Sequence, residues 1–224
     1  MPLFQYALKP VKECLFPLSD NGQKNVAWFW LTDSAYCLDL GTVRLFENSR
    51  IWQEKYGLPP EASGWDEYPY IRQLEDLFDI LPEITTPVPD WAWKRVGTPE
   101  KRFALKRQLD NWFEKLDAPS DEKWELYGDM TRLVWDNNRL DTGYLRFRSF
   151  CWFCRIGEQL VIQYDFRDID EDGLPVWSAS IGSYEISYEL FMQEMENFLH
   201  HFFLDMEKQF GQWVTYHPEF NRLA

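Results

Sequence analysis

The spacing of apolar residues changes twice along the chain, and this limits the fold more than any other feature. Near the N-terminus apolar and polar side chains alternate, as at Phe4, Tyr6 and Leu8, which is the pattern of a half-buried strand. In the middle, apolar residues recur at intervals of three and four, the spacing of one helix face, and after Tyr144 the alternation returns. Strands at both ends with helices between them predict an α+β fold, in which helices pack on one face of a mostly antiparallel sheet.

The length of 224 residues fits one domain. We expect a single domain over 1–224, with N-terminal strands over 1–56, a helical middle over 65–136, and C-terminal strands with a long helix over 144–210. Within the N-terminal part, Val26 to Leu31 reads as a further strand.

Local signals place the helices of the middle region. Thr98, Pro99 and Glu100 form a helix start, and Ser120 can cap the next helix, so we expect an antiparallel pair. The expected buried faces of the two helices are Leu105, Leu109, Trp112, Phe113 and Leu116 in the first and Leu126, Met130, Leu133 and Val134 in the second. Before this pair, three prolines predict an extended connection rather than helix: Pro82, Pro87 and Pro89.

The C-terminal part reads as three strands and a helix. A strand from Tyr144 to Phe153 leads to a turn at Gly157. A second strand follows over Leu160, Ile162, Tyr164 and Phe166, and a third strand is expected around Val176, Trp177 and Ile181. Ser187 can cap a long helix of about five turns with the apolar stripe Phe191, Met195, Phe198, Phe202, Met206 and Phe210.

Charge narrows the classes of partner. The chain has 23 Lys and Arg against 37 Asp and Glu, a net charge of −14. Nucleic-acid and membrane-surface binding both normally need basic residues, so we expect neither, and a basic protein partner is favoured. No signal peptide and no bilayer-spanning run is visible, and the four cysteines are too few for a disulfide framework, so a cytoplasmic location is expected.

The acidic excess is concentrated near the C-terminus. Between Glu158 and Glu207 there are twelve acids, and Arg167 is the one base. A solvated surface explains such a run, but so does a contact surface for a basic partner. The residues predicted to make that contact are Asp168, Asp170, Glu171, Asp172, Glu185, Glu189, Glu194 and Glu196.

Patterns that could support catalysis or metal binding are incomplete. Asp168, Asp170 and Asp172 begin like a calcium loop, but Ala179 occupies the twelfth position, where a bidentate Glu is needed. Cys151 and Cys154 form a CxxC within an apparent strand, so their side chains point to opposite faces and buried packing is expected. Nucleotide and serine-hydrolase motifs are missing from the sequence, so we expect no cofactor and no enzymatic activity.

Three short segments carry a resemblance. Trp28–Asp33 with the following Tyr36 matches a WFxLTDxxY element, Arg139–Leu145 is close to RxLDxGYL, and residues 172–177 are similar to a DGxPVW turn. In these elements the chain resembles a bacterial family of unassigned function, which implies no catalytic residues. Asp33 and Asp141 lie in predicted turns, where bonds to nearby backbone N–H groups favour structural roles.

Small acidic proteins of this kind are similar to the immunity proteins encoded beside bacterial toxins. The leading hypothesis is therefore a cytoplasmic immunity protein that binds and neutralises a cognate toxin, basic at its contact surface, with some of the twelve tryptophans as anchors. Two alternatives stay open: a carboxylate-based or metal-dependent enzyme, and an acidic mimic of nucleic acid. Exposed strand edges also leave a homodimer open.

Overall fold

The structure is a computed structural model, which describes residues 2–10, 13, 16–17, 24–27, 34–67, 71–210 and 214–215. It confirms the α+β class. The strands are β1 (Phe4–Leu8), β2 (Phe16–Pro17), β3 (Lys24–Ala27), β4 (Ser34–Asp39), β5 (Arg44–Leu45), β6 (Phe150–Ile156), β7 (Gln159–Asp165), β8 (Ile181–Ser187) and β9 (Val214–Thr215). The α-helices are α1 (Arg50–Tyr56), α2 (Ile71–Ile84), α3 (Asp90–Val96), α4 (Pro99–Glu114), α5 (Asp121–Thr131) and α6 (Tyr188–Phe210). A 3₁₀ turn covers Gly64–Glu67, and a π-helical turn, Arg132–Asp136, continues α5.

The strands form three small sheets. β1, β4 and β5 pair antiparallel in the first sheet, and β6, β7 and β8 pair antiparallel in the C-terminal sheet. In the sheet made of β2, β3 and β9, the last strand runs parallel to β3. The pairing is thus mostly antiparallel, as the sequence predicts, but it is divided among separate sheets.

Helix α6 joins the first sheet to the C-terminal sheet. Its Phe198 ring stacks on Phe4 of β1 with 5.0 Å between ring centroids, and its Phe191 ring lies 5.7 Å from Phe153 of β6. The predicted stripe of α6 is buried at every position whose burial is described, and Ser187 caps the helix by accepting a hydrogen bond from the Leu190 N–H. One cluster of buried side chains therefore includes Leu3 and Phe4 near the N-terminus as well as Phe202 and Met206 of α6.

The C-terminal sheet is covered by helices on both faces. Phe153 faces α6, whereas the neighbouring Trp152 and Cys154 face Arg102 of α4. The expectation of helices on one face is therefore incomplete. The physical reason is visible in β6, where successive residues from Cys151 to Cys154 are all buried, so that neither face is left for water.

Two local predictions are wrong in the first part of the chain. The predicted N-terminal strands, 1–56, end in helix α1, where Ser49 accepts the Trp52 N–H at 3.1 Å and Gly57 ends the helix with a positive φ of 64°. Pro82 was expected to exclude helix but lies in the last turn of α2, where its missing N–H removes only one bond and the Thr85 hydroxyl bonds its carbonyl. The predicted strand residues 28–31 lie outside the described residues.

Two strand boundaries also differ. Residues 144–149 are not strand, because β6 begins at Phe150, and Val176 and Trp177 precede β8 instead of forming it. Both are buried all the same, and the Trp177 indole N–H donates to the Arg148 carbonyl. Trp177 pairs with Asn48 in an isolated antiparallel bridge, so these residues are buried without belonging to β8.

Candidate functional site

The acidic turn after β7 is held together by bonds within the chain. Lys55 of α1 contacts Asp170 and Asp172 at 2.5 Å each, and Asp170 also accepts the N–H groups of Asp172 and Leu174. The hydrogen bond from Lys55 is the main cause that lowers the pKa of Asp170. Asp170 is buried, so its carboxylate is part of the fold and not available to a partner.

Other predicted contact residues are held in the same way. Asp168 accepts the N–H of Arg148 at 2.7 Å, and Glu194 of α6 accepts the N–H of Leu3 at 2.9 Å. Asp165, which belongs to the same acidic stretch, is paired with Arg167 at 2.5 Å. Glu194 thus attaches α6 to the N-terminal part of the chain, whereas Asp165 and Asp168 make bonds within the C-terminal part.

The remaining predicted contact residues are exposed but do not form one surface. Glu171, Glu185, Glu189 and Glu196 are exposed and have no recorded bond to other residues that the structure describes. The turn follows the Asp165 end of β7, whereas Glu189 follows the other end of the β7–β8 hairpin. Seven residues of strand separate the two ends by about 20 Å. Linear proximity in sequence therefore does not bring the predicted residues together.

The cysteines and histidines within the described residues contribute no site of their own. Cys151 and Cys154 are buried on opposite faces of β6, as the sequence predicts, and burial raises the pKa of Cys37 to about 11. The His201 ring nitrogen bonds the Asn197 carbonyl oxygen at 2.7 Å. Among the described residues, no three His, Cys, Asp or Glu side chains are grouped so as to hold a metal.

A different region combines exposed aromatic rings with unpaired acids. It is the end of the hairpin formed by α4 and α5, residues 110–125, which we call the hairpin tip. Trp112 is 37% exposed and Trp124 is 54% exposed, with the Phe113 ring between them at 6.2 Å from the first and 4.3 Å from the second. Large aromatic side chains that remain in water are typical anchors of protein interfaces.

Carboxylates surround these rings. The hairpin tip has six acids and two lysines, and five of the acids are exposed with no recorded partner among the described residues: Glu114, Asp117, Asp121, Glu122 and Glu125. Because these carboxylates form no recorded ion pair with the described residues, their negative charge remains available to attract a basic partner.

A small network of polar and aromatic contacts stabilises the hairpin tip. The Lys106 ammonium contacts Asp110 at 2.5 Å, the Tyr127 hydroxyl donates to the same carboxylate at 2.6 Å, and the Tyr127 ring stacks on Phe113 at 4.2 Å. Although burial alone would raise it, these hydrogen bonds lower the pKa of Asp110. The hairpin tip is thus preorganised, which reduces the entropic cost of binding.

The buried faces predicted for α4 and α5 are largely wrong, and this explains why the sequence did not reveal the hairpin tip. Leu126, Met130 and Leu133 are exposed, and Val134 alone of the predicted α5 face is buried. In α4 the residues that reach the C-terminal sheet include Arg102, which donates to Gln163, and Phe103, whose ring contacts Phe150 and Trp152. The pairing of the helices is confirmed as antiparallel, since α4 contacts Val134 near its start and Tyr127 near its end. The acid density of residues 110–125 was the available signal.

One residue of the resemblance motifs has the expected structural role. The Asp141 carboxylate accepts the N–H of Gly143 at 2.8 Å within a turn, whereas Asp33 lies outside the described residues. No helix in the described part of the chain is both long enough and apolar enough to cross a membrane.

Fold and surface together define an α+β protein with a projecting helical hairpin that is acidic and aromatic at its end. Residues 3–221 match the model of a family of unknown function, DUF5984, and the chain belongs to that family. No curated protein and no solved structure matches the chain.

Proposed function

We propose that the chain is an inhibitor of the immunity-protein type, which binds a cognate bacterial toxin in the cytoplasm and has no catalytic activity of its own. The observation that carries the proposal is the hairpin tip, where Trp112 and Trp124 are exposed among carboxylates without internal partners. Aromatic rings supply apolar contact area at the centre of an interface, and unpaired acids attract a basic surface and speed its approach.

The hairpin tip replaces the acidic turn as the main contact in this proposal. Asp170 and Glu194 are bonded within the fold, so breaking these bonds to reach a partner would cost stability. Glu185, Glu189 and Glu196 remain free and add long-range attraction to a basic partner. A toxin with a basic rim around an apolar pocket is complementary to this surface.

The test is a protection assay with two matched variants. The toxin candidate is the product of the neighbouring gene, expressed with the wild-type chain or with a variant in a bacterial host. The tip variant combines Trp112→Ala, Trp124→Ala, Glu122→Lys and Glu125→Lys. The control variant combines Glu171→Lys, Glu189→Lys and Glu196→Lys, which reverses exposed charges elsewhere. Circular dichroism verifies that both variants fold.

We expect the tip variant to bind the toxin at least about 100-fold more weakly and to lose protection, because two anchor rings and two attractive charges are removed. The control variant should bind within about tenfold of the wild type, since its charges act only at long range. Equal protection by the tip variant would contradict the proposal. A stable homodimer that buries Trp112 and Trp124, detected by sedimentation, would also contradict it.

A further inference from the structure

A groove of about 370 Å³ lies between α3, α4 and the end of α5 with its π-helical turn. The apolar residues that line it are Val88, Trp91, Ala92, Val96, Leu105, Met130, Leu133 and Val134. Trp91 is 61% exposed. Met130 of α5 and Leu133 of the π-helical turn are also exposed. Volume and lining are those of a site for a small ligand with an apolar body.

The floor of this groove contains a buried cation. Arg102 is 2% exposed, and it donates to the Gln163 side-chain oxygen at 2.7 Å, to the Val134 carbonyl at 2.8 Å and to Cys154 Sγ at 2.9 Å. Its guanidinium also lies 5.2 Å from the Trp152 ring centroid. None of these groups is a carboxylate, and no ion pair to Arg102 is formed by the described residues.

The neighbouring thiol does not supply the missing negative charge. Burial raises the pKa of Cys154 despite the opposing effect of Arg102, so the sulfur is protonated and neutral. Burial also lowers the pKa of Arg102, but a guanidinium keeps its proton in proteins. A buried charge without a counter-ion is costly, and a bound anion removes that cost.

The electrostatic character of the groove is opposite to that of the whole molecule. The net charge of the chain is −14, yet the groove is lined by Arg95 and Arg102 and by no acid. Asn137 and Asn138 add neutral polar groups at the same end. The three recorded bonds of Arg102 use three of its five N–H groups, so one N–H on each terminal nitrogen has no recorded acceptor among the described residues.

We propose that this groove binds a small amphipathic carboxylate, whose carboxylate group pairs with Arg102 and Arg95 while its apolar body lies against Trp91, Met130 and Leu133. Charge complementarity selects the head group, and the apolar walls select the body. The proposal is independent of the toxin-binding function, because the groove and the hairpin tip share no residue.

The test uses octanoate as the probe and octanamide as its uncharged equivalent. Calorimetry measures binding of each to the full chain, and NMR of ¹³C-labelled methionine methyl groups locates it. We expect octanoate to bind at least about tenfold more tightly than octanamide, because only the carboxylate pairs with the arginines. The Met130 signal should shift, whereas those of Met192, Met195 and Met206, on α6 beyond the sheet, should not.

Variants of exposed residues keep the fold intact. Leu133→Asp places a negative charge on the groove wall and should weaken octanoate binding at least about tenfold, whereas the matched change Leu204→Asp on α6 should leave it unchanged. Equal binding of octanoate and octanamide, no binding of either, or a shift of the α6 methionines without Met130 would each overturn the proposal.

Discussion

Two stretches of this chain are rich in acids in the sequence but differ in what the acids contact. Between Glu158 and Glu207, carboxylates bond Lys55, Arg167, the Leu3 N–H and the Tyr6 hydroxyl. In the hairpin tip, one acid is bonded to Lys106 and Tyr127, and the others are exposed beside two tryptophans. The number of acids in a stretch of sequence therefore shows only where negative charge is concentrated. Whether a carboxylate stabilises the fold or is available to a partner depends on the groups that it bonds.

The largest effect is expected at Arg102, which joins the helical hairpin to the C-terminal sheet. Arg102→Ala should lower the free energy of unfolding by about 4 kcal/mol, because it leaves a cavity and removes the donor from Gln163 and from the Val134 carbonyl. Urea unfolding, followed by circular dichroism, measures this change in the free energy of unfolding. Arg107→Ala, at an exposed position of the same helix, is the control and should change stability by about 0.5 kcal/mol at most. Equal effects of the two changes would show that Arg102 is not a structural contact.

A smaller effect on stability is expected on α6, where a bonded acid and an exposed acid lie two residues apart. Glu194→Ala should destabilise the protein by about 1.5 kcal/mol, because the Leu3 N–H loses a charged acceptor. Glu196→Ala, two residues away and exposed, should be nearly neutral. Thermal unfolding of both variants under one condition provides the comparison, and a larger loss for Glu196→Ala would reverse the assignment.

The bonded acid of the hairpin tip gives a pH-dependent prediction. Asp110→Asn should cost about 1 kcal/mol at neutral pH, a value kept small because the site is partly exposed. Since the pKa of Asp110 is lowered in the folded state, its stabilisation is complete above the ordinary aspartate pKa of about 3.9. It is lost as the pH falls through the folded-state pKa.

Denaturant titrations of the wild type and of Asp110→Asn between neutral and acidic pH test this prediction. Their difference in stability should shrink toward the acidic end. The control is Glu114→Gln, at an exposed position with no recorded partner among the described residues, and it should change the free energy of unfolding at neutral pH by about 0.5 kcal/mol at most. A difference that is constant with pH would contradict the bonded state of Asp110.

The smallest effect on stability is expected at the exposed anchor. Trp124→Ala should cost about 0.5 kcal/mol, because more than half of its side chain already contacts water. By comparison, Val134→Ala, at a buried position, should lower the free energy of unfolding by about 1.5 kcal/mol. If Trp124→Ala were the more destabilising of the two in urea unfolding, the ring would belong to the core.

Structural features that depend on a few neighbouring residues were predicted best. Thr98 caps α4, the turn at Gly157 connects β6 to β7, and Ser187 caps α6, because each depends on a few neighbouring residues. The exposure of Leu126 and the burial of Arg102 were not predictable, since both depend on how α4 and α5 pack against a distant sheet.

The candidate site was harder to predict for the same reason. Lys55 and Asp170 are 115 residues apart in sequence, so nothing in the acidic turn itself reveals that Asp170 is bonded to a lysine. Likewise, the sequence could not show which tryptophans are exposed, because their exposure depends on how the helices pack.

The central claim is that recognition uses the hairpin tip and not the acidic turn. It is tested most directly by purifying tagged wild type, the tip variant and the control variant from the source cell and identifying the bound proteins by quantitative mass spectrometry. We expect one basic partner that is recovered with the wild type and with the control variant and is lost with the tip variant. Recovery of that partner with the tip variant, together with its loss from the control variant, would contradict the account.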